Sequence, residues 1–366
     1  MLDVAMRLFA QLRPWFNLVL FLGLLAPAHA SDNTADRGDL RVTPAPRHPS
    51  PEYKVTAGMD GEIYPVFANY ASLQKQNERS FGVLSVNVSN PGETPLRQRI
   101  AVKVAGWSDQ EIQRVDLAPG ASKLYMFAPT FLPRLYNNHE IIAATAQVSI
   151  ADISGASVYE TTLPVRLRSA EDMYWGSNFR YAPFIASWVT PHDLRVESVL
   201  GRAKNFTVDH RLPGYESWKS AAQQEQETYR EARAIFTALK RMGVSYVKSS
   251  TTFGDHRNVS ERVRMPRVSL GQNSANCIDA AVMYASLFEN LGMDATVVIV
   301  PGHAYAGVRL AKDSGKFLFL DVALTGLTTF EAAVASAEKG MARYAPNSVK
   351  KVLIQQARDS GIYPMP

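Results

Sequence analysis

Three residue types that together can perform nucleophilic catalysis follow one another in a single stretch of the chain. Cys277 is the only cysteine, His303 follows a Pro-Gly pair, and Asp321 ends an apolar run. A thiol, a base that takes its proton and a carboxylate that fixes the tautomer of the base are the components of a catalytic triad. Each residue alone has an ordinary explanation, since a lone cysteine is often only a small buried residue. The ordered set, however, predicts thiol chemistry at Cys277.

The residues after Cys277 predict a helix that begins at the thiol. Apolar side chains recur every three or four positions between 280 and 291, and Gly292 suits a left-handed C-terminal cap. Asn276 suits the N-cap, which makes Cys277 the first helical residue. Unpaired backbone N–H groups and the positive end of the helix dipole favour a thiolate at that position.

Three apolar runs after this helix predict strands that bring the other two residues together. The mostly β-branched run 295–300 predicts a buried strand, and the runs 304–310 and 317–320 predict a hairpin. His303 opens the first arm of this hairpin and Asp321 follows the second. The two side chains are therefore expected at the same edge of a sheet.

The motifs around these residues resemble the transglutaminase-like superfamily, a branch of the papain-like cysteine enzymes. The matching segments are 276–279 (Asn-Cys-Ile-Asp), 302–304 (Gly-His-Ala) and 320–321 (Leu-Asp). The resemblance implies an α+β fold in which the nucleophile helix packs on an antiparallel sheet. It also implies Cys277 as nucleophile, His303 as general base and acid, and Asp321 as the residue that orients His303.

Two positions depart from the pattern of the eukaryotic enzymes. Ala275 and Ile278 stand where those transglutaminases usually have glycine and tryptophan. This difference weighs against protein cross-linking more than against thiol catalysis, and bacterial members with a Cys-Ile-Asp motif are more similar. Hydrolysis is favoured because water needs no second binding site. The predicted function is that of a cysteine protease or amidase, with a protein-glutamine transglutaminase or a non-catalytic envelope binding or adhesion module as alternatives.

Further residues are candidates for supporting roles. By resemblance to papain-like enzymes, Gln272 is a candidate donor to the oxyanion, and removal of such a donor typically costs roughly a hundredfold in rate. Trp188 and Tyr305 are candidates to line a substrate cleft, although packing at the domain interface is the favoured explanation for the aromatic segment around Trp188. His256 and Asp255 form an alternative base and orienting residue, but they lie in a turn-rich segment and are less favoured.

The distribution of charged and metal-ligating residues limits the kinds of partner that the sequence indicates. The formal net charge of +5 is spread along the chain without a block of Lys and Arg, so the sequence gives no sign of nucleic-acid binding. No cluster of ligand residues indicates a metal site, and no cofactor is predicted. The expected partner is a protein or peptide substrate in the cell envelope; the sequence does not indicate an oligomeric state.

The chain divides by composition into four segments. Residues 1–30 combine a basic start, a short apolar core and a small-x-small ending, which predicts a signal peptide cleaved after Ala30 and a periplasmic or secreted location. An uncleaved N-terminal anchor is the alternative. Residues 31–53 resemble a flexible linker, and residues 54–170, with alternating runs and Gly/Pro turns, predict an immunoglobulin-like β-sandwich. Residues 171–366 form the predicted transglutaminase-like enzyme domain, and no membrane-spanning segment is expected after the signal peptide.

Export strengthens the case for a working cysteine. In an oxidising compartment structural cysteines usually occur in pairs, and a single thiol has no internal disulfide partner. Cys277 is therefore easier to explain as a nucleophile than as a packing residue.

Periodicity predicts the remaining elements around the triad. We expect a helix over about 218–242, a short strand over 244–247 and an irregular loop over 251–268. Helices over about 328–340 and 348–359 are expected to cover the far face of the sheet.

Overall fold

The computed structural model describes residues 49–75, 78, 80–217, 219–248 and 260–366, and the structural statements below refer to these residues. Within them the chain has a mixed α+β fold with several sheets. The predicted signal peptide (1–30) and most of the predicted linker (31–53) lie outside the described residues. The last two linker residues, 52 and 53, belong to the first strand.

The first part of the described chain consists mainly of strands. Its elements are β1 (Glu52–Ala57), β2 (Glu62–Ile63), α1 (Pro65–Leu73), β3 (Leu84–Ser89), β4 (Leu96–Val104), β5 (Glu111–Leu117), β6 (Ser122–Phe127), α2 (Pro133–Tyr136), β7 (Ile142–Asp152) and β8 (Ser157–Leu167). One sheet has the order β1-β3-β6 and is antiparallel; a second has the order β2-β8-β7-β4-β5, in which β2 and β8 are parallel.

Alternating side chains of these two sheets enclose one apolar core. In β3 the buried residues are Leu84, Val86 and Val88, and the residues between them are partly exposed. Inward-facing residues of the second sheet, such as Ile100 and Val102, belong to the same cluster. Successive side chains of a strand point to opposite faces of its sheet, so each of these sheets has one buried face. The two buried faces share one core, and the sheets therefore form two packed layers.

The strands of this region agree with the alternating runs noted over 54–170, but α1 was not predicted. Residues 66–69 of α1 are buried, and Phe67 packs in a different core from Ala68. Helix α1 therefore lies between the β-rich core and a second, larger core built by the rest of the chain.

The rest of the described chain alternates helices with short strands. Its elements are β9 (Asp172–Met173), α3 (Leu194–Ala203), α4 (Ala221–Arg241), β10 (Ser245–Tyr246), β11 (Glu261–Arg262), α5 (Pro266–Gln272), β12 (Ser274–Ala275), α6 (Cys277–Asn290), β13 (Ala295–Val300), β14 (His303–Arg309), β15 (Phe317–Leu320), α7 (Phe330–Met341), β16 (Lys350–Leu353) and α8 (Ile354–Asp359). A four-stranded antiparallel sheet has the order β15-β14-β13-β16. Two further pairs join β9 to β11 and, in parallel, β10 to β12.

Helix α6 is the centre of the larger core. It packs on β13 and β14 on one side and contacts α3 and α5 on the other. Every residue from Cys277 to Phe288 is buried, so the apolar stripe predicted from the sequence is only part of a helix enclosed on all sides. Gly292, with φ of +70°, follows its C-terminal end as predicted.

Two expectations about neighbouring elements were wrong. The predicted helix over 348–359 is split, because Lys350–Leu353 pairs with β13 as an edge strand and only Ile354–Asp359 is helical. The predicted loop over 251–268 contains β11 and the first residues of α5 in its described part. Both segments are too short for periodicity to identify, and tertiary pairing sets their conformation. The described helix α4 begins at Ala221 rather than at 218.

The close approach of Gly214 to the C-terminal end of α6 predicts how a substitution there changes stability. Gly214 has φ of +61°, and a Cβ built on it would lie 2.1 Å from the backbone oxygen of Leu291 at that helix end. Gly214→Ala combines a left-handed alanine with a backbone clash and should lower the free energy of unfolding by roughly 2–4 kcal/mol. Chemical denaturation measures this change.

Gly201→Ala is the matched control. Gly201 lies in α3, and its Cβ would meet no atom within 4 Å. This variant should be neutral or more stable by up to roughly 1 kcal/mol. Equal effects of the two substitutions would show that Leu291 does not restrict Gly214.

Candidate active site

Cys277 lies at the first position of α6, where the sequence predicted it. Asn276 and Asp279 form a reciprocal capping box: the Asp279 N–H donates to Asn276 Oδ1 (2.8 Å), and the Asn276 N–H donates to Asp279 Oδ2 (3.2 Å). These bonds fix the first turn of the helix and place the thiol beside unpaired backbone N–H groups. Such a position favours negative charge on sulfur.

The β14–β15 hairpin brings His303 and Asp321 together. Ala306 pairs with Leu320, so the first residue of β14 and the residue after β15 meet at one end of the sheet. His303 Nε2 lies 2.9 Å from Asp321 Oδ1. The same carboxylate accepts a 2.8 Å hydrogen bond from Ser336 Oγ on α7 through Oδ2. Asp321 therefore has a bond on each oxygen and orients the His303 ring.

The His303 ring also lies beside Cys277. Because Nε2 faces Asp321, Nδ1 is the ring nitrogen left for the thiol. Burial alone would lower the pKa of His303, but the hydrogen bond with Asp321, the interaction with Cys277 and the negative charge of these partners outweigh it and raise the pKa to about 9. The imidazole is therefore protonated at neutral pH when it faces both groups.

Asp321 remains ionised beside this ring. Burial acts to raise its pKa, whereas the hydrogen bonds from His303 and Ser336 and the charge of His303 lower it by more. The net pKa lies below the ordinary range of an aspartate. A carboxylate that stays charged can hold one tautomer of the imidazole throughout a proton-transfer cycle.

The two predicted cleft aromatics occupy buried positions. Trp188 is 0% exposed in the larger core, so it forms no part of an open cleft, and packing explains it. Tyr305 is 4% exposed, and its ring stands edge-on to His303 with the ring centroids 4.7 Å apart. Tyr305 therefore supports the imidazole from one side, and its hydroxyl lies against Gly340 of α7.

Gln272 does not meet the triad in this conformation. Its side-chain oxygen accepts a 2.6 Å hydrogen bond from Arg264, and the residue is exposed. Arg264 also donates through Nε and its backbone N–H to the buried carboxylate of Asp279. Gln272 is thus bonded to the arginine that also binds Asp279 in the first turn of α6. Its role as an oxyanion donor stays a prediction. Asp279 itself has a structural role, since it caps the first turn of α6 and pairs with Arg264.

Tyr246 is a residue of the site that sequence reasoning missed. It lies on β10, opposite Ala275 of β12, immediately before the nucleophile helix. Burial raises the pKa of Tyr246, and the charges of Cys277 and Asp321 raise it further. Only the short predicted strand over 244–247 pointed to this segment, and nothing in it indicated proximity to the thiol.

The described residues of the site differ in exposure. Cys277 is 3% exposed, whereas the side chain of His303 is 26% exposed and Tyr246 is 41% exposed. The alternative pair His256 and Asp255 lies outside the described residues.

Neither a metal site nor a membrane helix is evident in the described ranges. No group of three or more His, Cys, Asp or Glu side chains in these ranges is placed to bind a metal ion. No helix among them has the length and apolar character needed to cross a bilayer.

Comparisons with known proteins give no family. No protein-family model matches the sequence, and no curated protein matches it. Among solved structures, trypsin-activated alpha-2-macroglobulin from Escherichia coli is 11% identical over 52% of this chain. The chain covers 16% of that protein with a TM-score of 0.19, a likeness that carries no argument about fold or function.

The contact between His303 and Cys277 predicts fast alkylation of the thiol. Iodoacetamide should label Cys277 in the wild type faster than it labels a free cysteine between pH 6 and 7.5, because the imidazolium and the helix N-terminus favour the thiolate. His303→Ala should slow labelling at least roughly tenfold. His192→Ala, which removes an exposed histidine elsewhere, is the control and should leave the rate unchanged. Equal labelling of the wild type and His303→Ala would disprove the coupling.

The raised pKa of His303 also predicts how stability depends on pH. The folded-state pKa of about 9 exceeds the unfolded value of 6.5, so the stabilisation from this pair is complete below pH 6.5 and is lost as pH rises towards 9. The difference in free energy of unfolding between the wild type and His303→Gln should therefore shrink over this interval. Denaturant titrations from pH 6 to 9 measure it, and a difference independent of pH would contradict the assignment.

Proposed function

We propose that this chain is an exported thiol enzyme that cleaves or transfers acyl groups at amide bonds through Cys277, His303 and Asp321. The observation that supports the proposal most strongly is the His303 ring, which bonds Asp321 through Nε2 at 2.9 Å and faces Cys277 with its other nitrogen. A lone packing cysteine has no need of an oriented, charged imidazole. Thiol acyltransferases and hydrolases share one arrangement. A base activates the nucleophile, and a third group orients the base.

The proposed reaction proceeds through a thioester. The thiolate of Cys277 attacks the carbonyl carbon of an amide, and the backbone N–H of Cys277 is available to the developing oxyanion. The proton on His303 Nδ1 passes to the leaving nitrogen as the C–N bond breaks. His303, now neutral, then takes a proton from a water molecule while the oxygen of that water attacks the thioester carbon. The C–S bond breaks, and the thiolate of Cys277 is released. Asp321 keeps Nε2 protonated in both steps.

The surrounding fold is consistent with the proposed class. We assign the region of α6 and the sheet β15-β14-β13-β16 as a transglutaminase-like, papain-like domain, because the helix bearing the thiol packs on the antiparallel sheet that bears the other two residues. The two-layer β region is assigned as an immunoglobulin-like sandwich that supports or presents this domain. These assignments rest on topology and the sequence motifs alone.

Hydrolysis is the favoured outcome, and the proposed enzyme is a cysteine protease or amidase with a protein or peptide substrate in the cell envelope. Water needs no second binding site, whereas transamidation would require one for an amine. The periplasmic or secreted location rests on the composition of residues 1–30.

The decisive experiment compares product formation by matched variants. Wild type, Cys277→Ser, His303→Ala and the control His192→Ala are incubated with envelope proteins and peptidoglycan peptides in the presence of a labelled primary amine. Mass spectrometry should find new carboxyl termini with the wild type and the control, none with Cys277→Ser, and a rate lower by roughly 10²–10⁴ with His303→Ala.

The other outcomes separate the remaining functions. Incorporation of the amine in place of water would identify a transglutaminase. Identical spectra from the wild type and Cys277→Ser would reject enzyme activity on these substrates and favour an envelope binding module.

A further inference from the structure

A cleft at the far edge of the sheet has no role in the proposed chemistry. It has a volume of about 460 Å³ and lies between the edge strand β16 and the segment 178–183. None of the three triad residues lines it. Since β16 and β15 occupy opposite edges of the sheet, the cleft is separated from Asp321 by the whole width of the sheet.

One wall of this cleft is an unpaired strand edge. In the described residues β16 pairs with β13 on one side and with no strand on the other. Residues 350–353 make no other backbone-to-backbone hydrogen bond within these ranges. In an antiparallel strand alternate residues direct their N–H and C=O groups away from the paired neighbour, so β16 presents free backbone groups to the cleft.

The cleft is positively charged. Arg180, Lys350 and Lys351 line it, and no acidic side chain is among the described residues that do so. None of these three forms an ion pair with another described residue. The acidic residue that follows on α8, Asp359, bonds Gln355 and lines a neighbouring cleft instead. The positive charge is therefore not neutralised from within.

The Arg180 guanidinium lies 4.4 Å from the centroid of the Tyr181 ring, which orients this charge at the wall opposite β16. The Lys351 ammonium lies 4.9 Å from the centroid of the Phe319 ring on β15, so its charge lies over the face of the sheet and not at the outer edge of β16. The opposite wall also contains Asn178 and Phe179 with φ of +53° and +57°. Non-glycine residues in this conformation are costly and concentrate at ligand sites.

We propose that this cleft binds an extended acidic peptide segment of another protein, which adds as a further strand beside β16 while its carboxylates meet Arg180 and Lys350. Strand addition supplies backbone hydrogen bonds, and the side walls select alternate side chains. Lysines on an edge strand can also serve only to discourage aggregation. Here the segment 178–183 faces the edge of β16 as a second wall and carries the cation Arg180. The two walls together define a channel for one strand. The proposal does not depend on catalysis.

A fluorescent peptide of alternating Glu and Val tests the site by fluorescence anisotropy. The wild type should bind it, a Lys-Val peptide of equal length should not bind, and Cys277→Ser should bind the acidic peptide as the wild type does. Two further acidic peptides are N-methylated along one or the other strand edge. One of them should lose binding and the other retain it, because an added strand uses only one of its edges.

Paired variants locate the binding. Arg180→Gln combined with Lys350→Gln should weaken binding of the acidic peptide by roughly fivefold, which is the effect of losing two charge contacts at the surface. The control combines Lys103→Gln with Lys123→Gln, two exposed lysines of the β-rich region, and should bind as the wild type does; circular dichroism confirms folding of both. No binding, or equal weakening by both pairs, would overturn the proposal. Equal binding of both N-methylated peptides, with displacement by inorganic polyphosphate, would replace it with a general polyanion site.

Discussion

The register of the β14–β15 hairpin is the constraint on which the site depends. Side chains of a strand alternate between two faces, so a slip by one residue would turn His303 to the wrong face of the sheet. Gly307 allows this register, since a Cβ there would lie 2.6 Å from Thr296 on one neighbouring strand and 2.7 Å from Phe319 on the other. A side chain at position 307 would therefore push against both neighbouring strands and disturb the pairing that brings His303 to Asp321.

Cys277 is held near this hairpin because the N-terminal end of α6 is fixed. At its N-terminus Asp279 accepts from Arg264 and from the capping N–H, which satisfies a carboxylate that would otherwise be costly to bury. Nearby, Glu261 is fully buried and bonds Trp175, and burial with the charge of Asp279 raises its pKa to about 8. Glu261 is therefore largely neutral at neutral pH, and Arg264 pairs with Asp279 and not with Glu261.

The sequence allowed the triad and the elements that carry it to be predicted, because Cys277, His303 and Asp321 each lie at the end of a strongly patterned element. Helix α6 and the strands β13 to β15 have runs long enough for periodicity to identify. Ser336 and Tyr246 could not be found in this way, since their roles arise from where α7 and β10 pack and not from any local pattern. The same limit applies to β16, whose four residues become a strand only by pairing with β13.

The β-rich region is joined to the site by charge as well as by packing. Arg168, at the end of β8, bonds Asp172 at 2.9 Å and Ser260 at 2.7 Å and lies 3.7 Å from Glu62. Asp172 and the residue after Ser260 belong to β9 and β11, which pair with each other. Since Glu261 on β11 lies beside the cluster at the mouth of α6, a buried guanidinium connects the β-rich core to the elements that position Cys277. A region attached in this way acts as part of the support of the nucleophile helix, which a flexible spacer could not do.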